Sequence, residues 1–366
     1  MKAKTKQKKA NILDTDKVFV IAEIGKNFIQ SEDERQYEEY LANAKKLIDA
    51  AKEAGADAVK FQTHEVSDEQ LNIPIVSPHF KGSDRYSWVK RNTEITPLKF
   101  WVELKAYADK KGIIFFSTAM SRKAAEKLES INVPLWKVGS GDVDDYVLLD
   151  YITKTGKPII ISTGMVSLDE LDRVITHIQK RNVPLTVLYC VSEYPAPKEY
   201  FNLATIEYLK EKYPDVTIGF SDHSIGHDIA LAAAKLGAKV IEKHFSLNRE
   251  LWGSDHKVSM TPSEMKAMVE ALRTNVHKKV SHEAYYGEKG RELEGATNKF
   301  RPYFKKTLVV AKDIQKGTVI TSDMVYAMRP RMYSVGLPSD KFHDIVGRKI
   351  KKDLKGYDPI TDEIFE

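Results

Sequence analysis

Two similar stretches of the sequence decide the fold: AKEAGADAVKF at Ala51–Phe61 and AKLGAKVIEKHF at Ala234–Phe245. Each contains the end of a helical segment, a glycine, and a short run rich in apolar residues. Glycine suits the left-handed residue that ends many helices, and a short apolar run after it is typical of a strand. A helix that leads through a glycine into a strand is part of a βαβ unit, so the repeated pattern predicts a parallel sheet.

The same alternation extends outward from both stretches, from residue 17 to about residue 280. It predicts eight strands, at Val18–Ala22, Ala58–Gln62, Ile113–Thr118, Leu135–Gly139, Pro158–Thr163, Leu185–Val191, Thr217–Ser221 and Lys239–Phe245. It also predicts eight helices, at Tyr37–Ala54, Leu98–Lys111, Arg122–Ser130, Asp144–Thr155, Leu168–Lys180, Leu203–Tyr213, His227–Leu236 and Pro262–His277. This α/β pattern favours a (β/α)8 TIM barrel. A doubly wound open sheet is the alternative, because neither the number of units nor their length excludes it.

The chain changes character on both sides of this barrel domain, which we place at residues 17–280. Residues 281–302 are polar and contain glycine without a sustained period, so we predict a linker. Residues 303–366 contain short strand-like runs and turns, which predicts a small, β-rich domain. We predict a disordered basic tail at residues 1–16, because the first ten residues hold five lysines and no acidic residue.

Composition excludes several classes of protein. The net charge of +5 is accounted for by the five lysines of the tail, so the rest of the chain lacks the charge expected of a nucleic-acid-binding face. Apolar runs such as Ile113–Phe116 are far shorter than the roughly 18 residues that span a membrane. Cys190 is the single cysteine, so neither an internal disulfide nor a cysteine-based zinc site can form. We therefore expect a reducing, cytoplasmic setting.

Polar residues occupy the inward face of the predicted strands near their C-terminal ends. In VIEKHF, Ile241 and Phe245 share one face, and Glu242 and His244 share the other. The same alternation turns these further residues inward: Glu23, Lys60, Gln62, His64, Thr118, Lys137, Ser162, Cys190, Ser192, Tyr194, Ser221 and His223. Barrel interiors are usually apolar, and barrel enzymes carry their active sites at this end, so the pattern predicts an active site.

Lys60 and Lys137 would lose their protons inside a barrel unless anions compensated their charge. A ligand that carries a phosphate and a carboxylate would supply both anions. Hydroxyl groups at the same rim would assist, from Ser140, Ser162 and Ser221. The alternative is that each lysine pairs with an internal carboxylate, such as Glu23 or Glu242.

His223 and His244 end neighbouring strands of the predicted barrel. Two imidazoles, a nearby carboxylate and open positions suit a divalent ion such as Mn²⁺, or another such as Mg²⁺, rather than a closed structural zinc site. The alternative is that each histidine is a hydrogen-bonded core residue.

These residues lie in motifs that resemble the sialic acid synthase family. The motifs are AEIG at 22–25, KFQTH at 60–64, FSTAM at 116–120, KVGSGD at 137–142, ISTGM at 161–165, YCVSEYPAP at 189–197, FSDHSIG at 220–226, VIEKHFS at 240–246 and GSDH at 253–256. They appear in order over nearly the whole barrel. The C-terminal segment, with AKDIQKGTVI, Arg329–Pro330 and GRKIKKDLKGYDPI, resembles the antifreeze-like (SAF) domain that follows the barrel in these synthases.

The resemblance implies condensation of phosphoenolpyruvate with an N-acetylated sugar aldehyde, which gives a nine-carbon 3-deoxy-2-keto acid and phosphate. Residues that match the family motifs would bind phosphoenolpyruvate: Lys60, Thr118, Lys137, Ser140, Ser162 and Ser221. The sugar would contact Gln62, Ser192, Tyr194, Asp255 and Arg329. His223 and His244 would bind Mn²⁺, and the catalytic groups would be Glu23, Lys60, Lys137 and Glu242. Arg329 would reach the sugar from the partner chain of a domain-swapped homodimer.

The sequence departs from the family in the part of the site that would hold the sugar. After AEIG the family usually has an Asn-His-Glu-Gly type loop, whereas this chain has Lys26-Asn27-Phe28-Ile29-Gln30. Ser192 also stands where many members have asparagine. Two alternatives therefore stay open beside the synthase: a related enzyme that condenses phosphoenolpyruvate with a different aldose, and a catalytically silent binding scaffold.

Overall fold

Eight parallel strands close into a barrel in a computed structural model that describes residues 12–13, 15–77, 80–290 and 292–366. Most of the predicted tail, residues 1–11 and 14, lies outside the described residues. The barrel strands, in order around the barrel, are β1 (Phe19–Gly25), β2 (Ala58–Thr63), β5 (Ile114–Ala119), β6 (Trp136–Val138), β7 (Ile159–Ser162), β8 (Leu185–Cys190), β9 (Thr217–Asp222) and β10 (Val240–His244). The predicted closed barrel is thereby confirmed, and the open sheet is excluded.

Eight helices that follow these strands match the predicted helices to within a few residues. They are α1 (Tyr37–Glu53), α4 (Leu98–Lys111), α5 (Arg122–Ser130), α6 (Tyr146–Lys154), α7 (Leu168–Gln179), α8 (Ala204–Lys212), α9 (Asp228–Lys235) and α10 (Pro262–Arg273). Gly55 and Gly237, the glycines of the two stretches that decide the fold, have φ of +85° and +101°. This backbone region favours glycine, so the glycines permit the turn from helix to strand.

The barrel interior changes from apolar to polar along each strand. At the N-terminal end it is filled by a cluster that includes Phe19, Ile21, Ala58, Phe116, Leu135, Ile160, Leu188 and Val240. Two residues beyond several of these, on the same face of the strand, stand Glu23, Lys60, Thr118, Lys137, Ser162, Cys190 and Glu242. The barrel interior therefore has an apolar layer at the N-terminal ends of the strands and a polar layer at their C-terminal ends.

An excursion between β2 and α4 was not predicted from the sequence. It contains α2 (Val66–Glu69), the antiparallel strands β3 (Val76–Ser77) and β4 (Phe80–Asp84), and α3 (Arg85–Ile95). The elements other than α3 are only two to five residues long, and such short segments carry no period that a pattern could reveal. The excursion brings Arg85 to the mouth of the barrel.

The segment predicted as a linker follows the surface of the barrel. It contains α11 (Glu283–Tyr286) and the start of α12 (Arg301–Phe304). Asn298 donates a hydrogen bond to the carbonyl of Ser192 at 2.9 Å, and Arg301 forms two hydrogen bonds, of 2.8 and 2.9 Å, with Glu170. Glu170 also completes a capping box with Ser167 at the start of α7. The assigned domain boundaries stay a prediction.

The C-terminal segment packs over the open end of the barrel. Its strands β11 (Thr307–Val310) and β12 (Val325–Met328) are antiparallel, and α13 (Phe342–Ile345) follows them. Two backbone hydrogen bonds of Arg329 join this segment to the excursion. Arg329 N donates to Glu69 O at 2.9 Å, and Leu71 N donates to Arg329 O at 2.8 Å. No helix in the described part of the chain is long and apolar enough to cross a membrane.

Candidate active site

A cavity opens at the C-terminal ends of the barrel strands. It encloses about 870 Å³ of empty space, open mouth included, within the range of sites for small ligands. Every residue predicted for the site lines this cavity except Ser192: the lining includes Glu23, Lys60, Gln62, Thr118, Lys137, Ser140, Ser162, Tyr194, Ser221, His223, Glu242, His244, Asp255 and Arg329. The alternation of the strands therefore assembles residues from all parts of the barrel.

Strand register places the central charged groups at one level. Glu23 of β1 stands beside Lys60 of β2 on one side and His244 of β10 on the other. Glu242 stands beside Ser221 of β9. Neighbouring parallel strands lie about 4.8 Å apart, so side chains at the same level and on the same face can contact one another.

Lys60 pairs with an internal carboxylate, which is the alternative that the sequence left open for it. Its Nζ lies 2.6 Å from Glu23 Oε2 and 3.7 Å from Glu242 Oε1, and it donates to Thr118 Oγ1 at 3.1 Å. Burial would lower the pKa of Lys60, but the charges of Glu23 and Glu242 outweigh it and raise the pKa. Lys60 therefore stays protonated.

Lys137 lacks such a close carboxylate. Its Nζ donates to Ser162 Oγ at 2.6 Å, and the nearest paired carboxylate oxygen, Glu242 Oε1, is 4.0 Å away. The side chain is 3% exposed, and this burial, together with the charge of Lys60, lowers the pKa of Lys137 despite the opposing effect of Glu242. An anion beside Lys137 would stabilise its charged form.

Glu23 and Glu242 have pKa values shifted in opposite directions. Burial and the charge of Glu242 raise the pKa of Glu23 against the opposing effect of Lys60. Burial would also raise the pKa of Glu242, but Lys137 and Lys60 outweigh it and lower the pKa. Two carboxyl groups with divergent proton affinities in one cavity suit an acid and a base.

His223 and His244 stand side by side at the rim, with ring centroids 5.3 Å apart. His223 Nδ1 lies 2.8 Å from Val191 O, so the Val191 contact does not involve His223 Nε2. His244 Nδ1 is buried and has no hydrogen-bond partner among the described residues. Burial, with the charges of His223 and Lys60, lowers the pKa of His244 to about 3, so its ring is neutral at pH 7. A neutral ring with an orphaned nitrogen fits a metal ligand.

The metal site would have to be an open one. Among the described residues, no three His, Cys, Asp or Glu side chains are grouped so that they could hold a metal ion. The two histidines therefore fit a divalent ion only if ligand or solvent oxygens complete its coordination.

Of the residues predicted to contact the sugar, all but Ser192 line the cavity. Tyr194 lies against His223 and His244, with its ring centroid 4.2 Å from that of His223. Gln62 connects Glu23 with Lys26: its Nε2 donates a hydrogen bond to Glu23 Oε1 at 2.8 Å, and its Oε1 accepts one from Lys26 Nζ at 2.8 Å. Ser192, however, is 1% exposed and packs directly on Gly164, where a Cβ atom would meet its Oγ. It turns beneath the rim and does not line the cavity.

Arg329 lines the cavity of its own barrel in the single chain. It is 1% exposed, forms an ion pair with Asp142, and has its Nε 4.0 Å from Glu69 Oε1. Asp142 also pairs with Lys306 at 2.9 Å. The exchange of C-terminal domains between two chains stays a prediction.

Sequence reasoning missed several lining residues: Lys26, Arg85, Met120, Asp142, Met165, Phe300 and Phe304. Arg85 belongs to the unpredicted excursion, and the two phenylalanines belong to or follow the segment predicted as a linker. The unusual loop after β1 supplies Lys26. In the same loop, Phe28 replaces the histidine of the family pattern and packs in an aromatic cluster. Its ring centroid lies 5.2 Å from that of Phe100 and 6.2 Å from that of Phe61.

Comparison with known proteins agrees with this architecture. The NeuB family matches residues 47–284, and the SAF domain matches residues 305–366. The N-acetylneuraminate-9-phosphate synthase of Homo sapiens is 34% identical over 354 residues, which are 95% of this chain and 92% of that protein. The pseudaminic acid synthase of Helicobacter pylori is 35% identical, over 95% of this chain and 97% of its own length.

A solved structure shares the fold over nearly the whole chain. The spore coat polysaccharide biosynthesis protein SpsE of Bacillus subtilis matches with a TM-score of 0.77 and 30% identity, over 98% of both chains. The resemblance inferred from the sequence motifs is confirmed by these matches.

Proposed function

Because the chain belongs to the NeuB family, we propose that it condenses phosphoenolpyruvate with a sugar aldehyde, forming a carbon–carbon bond and releasing inorganic phosphate. The relatives named N-acetylneuraminate-9-phosphate synthase and pseudaminic acid synthase support this reaction class. In the full proposal, the acceptor is an N-acetylated aldose of the N-acetylmannosamine type, and the product is a nine-carbon 3-deoxy-2-keto acid.

The observation that carries the proposal is the state of Lys137. It is a buried ammonium group held by Ser162, with no carboxylate oxygen of a described residue closer than 4.0 Å. Phosphoenolpyruvate would supply the missing anion. The second charged group of phosphoenolpyruvate would lie near Lys60, which donates a hydrogen bond to Thr118 on the adjacent part of the cavity wall. Hydroxyl groups that surround these lysines would add hydrogen bonds, from Thr118, Ser140, Ser162 and Ser221.

The chain's own groups suit the charge changes of the reaction. As carbon 3 of the enol attacks the aldehyde, positive charge develops at carbon 2, where water adds before phosphate leaves. Glu242, whose pKa is lowered by Lys137 and Lys60, would be ionised and able to accept a proton from that water. Glu23 is ionised in its ion pair with Lys60 and, because burial and Glu242 raise its pKa, could take up a proton released during the reaction and pass it to the developing alkoxide. Both lysines would stabilise charge on the phosphate throughout.

We also propose that His223 and His244 hold Mn²⁺ or another divalent ion such as Mg²⁺. When bound, such an ion supplies Lewis acidity at the aldehyde oxygen. Tyr194, whose ring lies against His223, would restrict the acceptor to one side of the two histidines. Gln62 and Asp255, which line the same side of the cavity, would contact the acceptor sugar.

For the assembly we propose a homodimer in which the C-terminal domains are exchanged. In the single chain, Arg329 N and O bind the backbone of Glu69 and Leu71. A second copy would present the same groups, so an exchange between two chains preserves each contact. The C-terminal domain also exposes apolar side chains, with Val335 80% and Tyr333 54% exposed.

The direct test is release of inorganic phosphate from phosphoenolpyruvate with Mn²⁺ and a panel of aldoses, with the mass of each product recorded. We expect release to depend on the aldose, and the product mass to equal aldose plus phosphoenolpyruvate plus water minus phosphoric acid. Release without an aldose, or no release with any member of the panel, would contradict the synthase proposal. Release only with aldoses that lack the N-acetyl group would identify the related enzyme left open above.

A further inference from the structure

His64 is an inward residue of the barrel that the proposed reaction does not use. It directly follows β2 and lines the cavity, and its side chain is 3% exposed. Its Nδ1 lies 2.9 Å from both carboxylate oxygens of Glu69, whereas its Nε2 is buried without a hydrogen-bond partner among the described residues. A buried polar atom without a partner costs free energy, so the arrangement indicates a ligand that completes it.

Glu69 holds the ring of His64 from behind the cavity wall. It ends α2, is fully buried, and does not itself line the cavity. Its backbone carbonyl accepts a hydrogen bond from Arg329 N at 2.9 Å, which ties this turn to the C-terminal segment. The two ring nitrogens lie on different edges of the imidazole, so the contact of Nδ1 with Glu69 directs the Nε2 edge away from that carboxylate.

The protonation of this pair makes Nε2 a hydrogen-bond acceptor. Burial would raise the pKa of Glu69, but His64 and Arg329 outweigh it and lower the pKa to about 2, so the carboxylate is ionised at pH 7 and can only accept. Burial lowers the pKa of His64 against the opposing effect of Glu69, so the ring is neutral at pH 7. The single ring proton therefore lies on Nδ1, toward Glu69, and Nε2 keeps its lone pair.

A hydrogen-bond acceptor in the cavity wall requires a donor on the ligand. Phosphoenolpyruvate bound between Lys60 and Lys137 would be ionised, and the oxygens of its phosphate and carboxylate groups then only accept hydrogen bonds. The hydroxyl groups of an aldose can donate as well as accept. Nε2 of His64 therefore fits the acceptor sugar and does not fit phosphoenolpyruvate.

The place of His64 in the sequence indicates which part of the sugar it meets. Lys60, Gln62 and His64 occupy successive inward positions, and Met120 N donates to Thr63 O at 3.1 Å, so β2 stays paired up to the residue before His64. At a rise of about 3.3 Å per residue, His64 stands about 13 Å beyond Lys60 toward the mouth of the barrel. The aldehyde must lie beside the phosphoenolpyruvate with which it reacts, so His64 meets the carbons remote from the aldehyde.

We propose that Nε2 of His64 accepts a hydrogen bond from one hydroxyl group of the acceptor sugar, on carbon 4, 5 or 6, and that His64 thereby helps to determine which sugar is used. The inference rests on the proposed condensation and deepens it by naming a further residue that sets its specificity. A sugar that lacks this hydroxyl group leaves Nε2 buried and unpaired, which is the strongest means by which a site rejects a close analogue.

The test compares N-acetylmannosamine with its 3-, 4-, 5- and 6-deoxy analogues, using the full-length protein, phosphoenolpyruvate and Mn²⁺. We expect the wild type to prefer the parent sugar over one of the 4-, 5- and 6-deoxy analogues by about 10–100-fold in kcat/KM, the size expected for a buried acceptor left unpaired. His64→Asn, whose amide can still donate to Glu69 but which lacks Nε2, should reduce this preference to less than threefold. It should do so by raising KM for the parent sugar, with KM for phosphoenolpyruvate unchanged.

Two further variants serve as rescue and control. The longer amide of His64→Gln reaches the position of Nε2 and should restore part of the preference. His227→Asn, at a histidine that follows β9 and does not line the cavity, should keep the wild-type ratios. The ratio for the 3-deoxy analogue should be the same in the wild type and in all three variants, because that hydroxyl group lies next to the reacting end of the sugar.

Each outcome bears separately on this contact or on the condensation. No preference at carbons 4 to 6 in the wild type, or the same preference in His64→Asn, would overturn the inference and leave the synthase intact. A rise in KM for phosphoenolpyruvate alone in His64→Asn would assign His64 to that substrate and also overturn it.

If no sugar is turned over, the condensation fails, and nitrogen-15 NMR of the wild-type histidines decides the contact, with Mg²⁺ in place of paramagnetic Mn²⁺. The same measurement decides it if His64→Asn does not fold. The inference requires a His64 ring protonated on Nδ1 and an Nε2 resonance that N-acetylmannosamine shifts. A ring protonated on Nε2, or a resonance that the sugar leaves unmoved, would overturn it.

Discussion

Lys60 and Glu23 form an ion pair on the polar layer of the barrel, with Nζ and Oε2 2.6 Å apart and side chains 3% and 2% exposed. Lys137, at the same depth, has a serine instead of a carboxylate as its nearest partner. The two lysines therefore have different roles in the protein without a ligand. Lys60 neutralises an internal charge, whereas Lys137 is available to a ligand.

Replacement of either lysine by methionine should weaken phosphoenolpyruvate binding by about 2–5 kcal/mol, measured by calorimetric titration. Only Lys60→Met should also destabilise the fold, by about 3–5 kcal/mol in denaturant unfolding, because it leaves Glu23 buried without its partner. Lys137→Met leaves Glu242, which is 4.0 Å from Lys137, still beside Lys60 at 3.7 Å, so its free energy of unfolding should change little. Wild-type affinity in both variants would reject the assignment of these lysines to phosphoenolpyruvate.

Removal of the metal should abolish turnover if His223 and His244 hold a divalent ion. We expect chelator treatment to stop phosphate release and added Mn²⁺ to restore it. The single variants His223→Ala and His244→Ala should bind Mn²⁺ at least tenfold more weakly, followed by electron paramagnetic resonance of free Mn²⁺. His227→Ala, at a histidine of the same part of the chain that does not line the cavity, is the control. Full activity of metal-free protein would show that the two histidines have another role.

The sequence predicts the barrel and its polar layer because both depend on strict local patterns. In β10, for example, alternation alone separates Glu242 and His244 from Ile241. Helix ends are similarly local, as at Gly112, where φ is +66°. Whether an inward lysine pairs with an internal carboxylate depends on residues far away in the sequence. Lys60 and Lys137 both occupy inward strand positions, yet Lys60 forms an ion pair with Glu23, whereas Lys137 donates a hydrogen bond to Ser162.

The residues that the sequence did not reveal lie on segments without a period. Arg85 reaches the cavity through a hairpin of two short strands, and Phe304 through a single turn of helix. Their positions depend on tertiary contacts, such as the ring of Phe304 against Arg85. Strand parity predicts that Ser192 points inward, and the family resemblance assigns it to the sugar, but β8 ends at Cys190, so the side chain beyond it follows the turn.

Acid should selectively weaken the attachment between the connecting segment and α7. Glu170 accepts hydrogen bonds from Arg301 and from Ser167 N, and its side chain is 16% exposed. Burial would raise the pKa of Glu170, but Arg301, Lys305 and Ser167 lower it from 4.5 to about 2. A depressed pKa stabilises the folded state above pH 4.5, and this stabilisation is lost as the pH falls toward 2.

Glu170→Gln should therefore cost about 3 kcal/mol of unfolding free energy at pH 7, and the difference from the wild type should shrink steadily below pH 4.5. Urea unfolding at a series of pH values measures it. Asp169→Asn, at the exposed neighbour in the same helical turn, should leave stability within about 0.5 kcal/mol. A deficit in Glu170→Gln that is the same at pH 7 and pH 3 would show that the Glu170 charge is not what stabilises the attachment.

Exchange of C-terminal domains can be tested by mixing two inactive chains, Arg329→Ala and His223→Ala. In an exchanged heterodimer, one active site combines both lesions, and the other combines an intact barrel with an intact arginine. Activity should then return toward half of the wild-type value per dimer. If each domain covers its own barrel, as in the single chain, every site keeps one lesion and activity stays absent. Subunit exchange must first be demonstrated by pull-down of differently tagged chains, so that lack of recovery after demonstrated mixing counts against the exchanged homodimer.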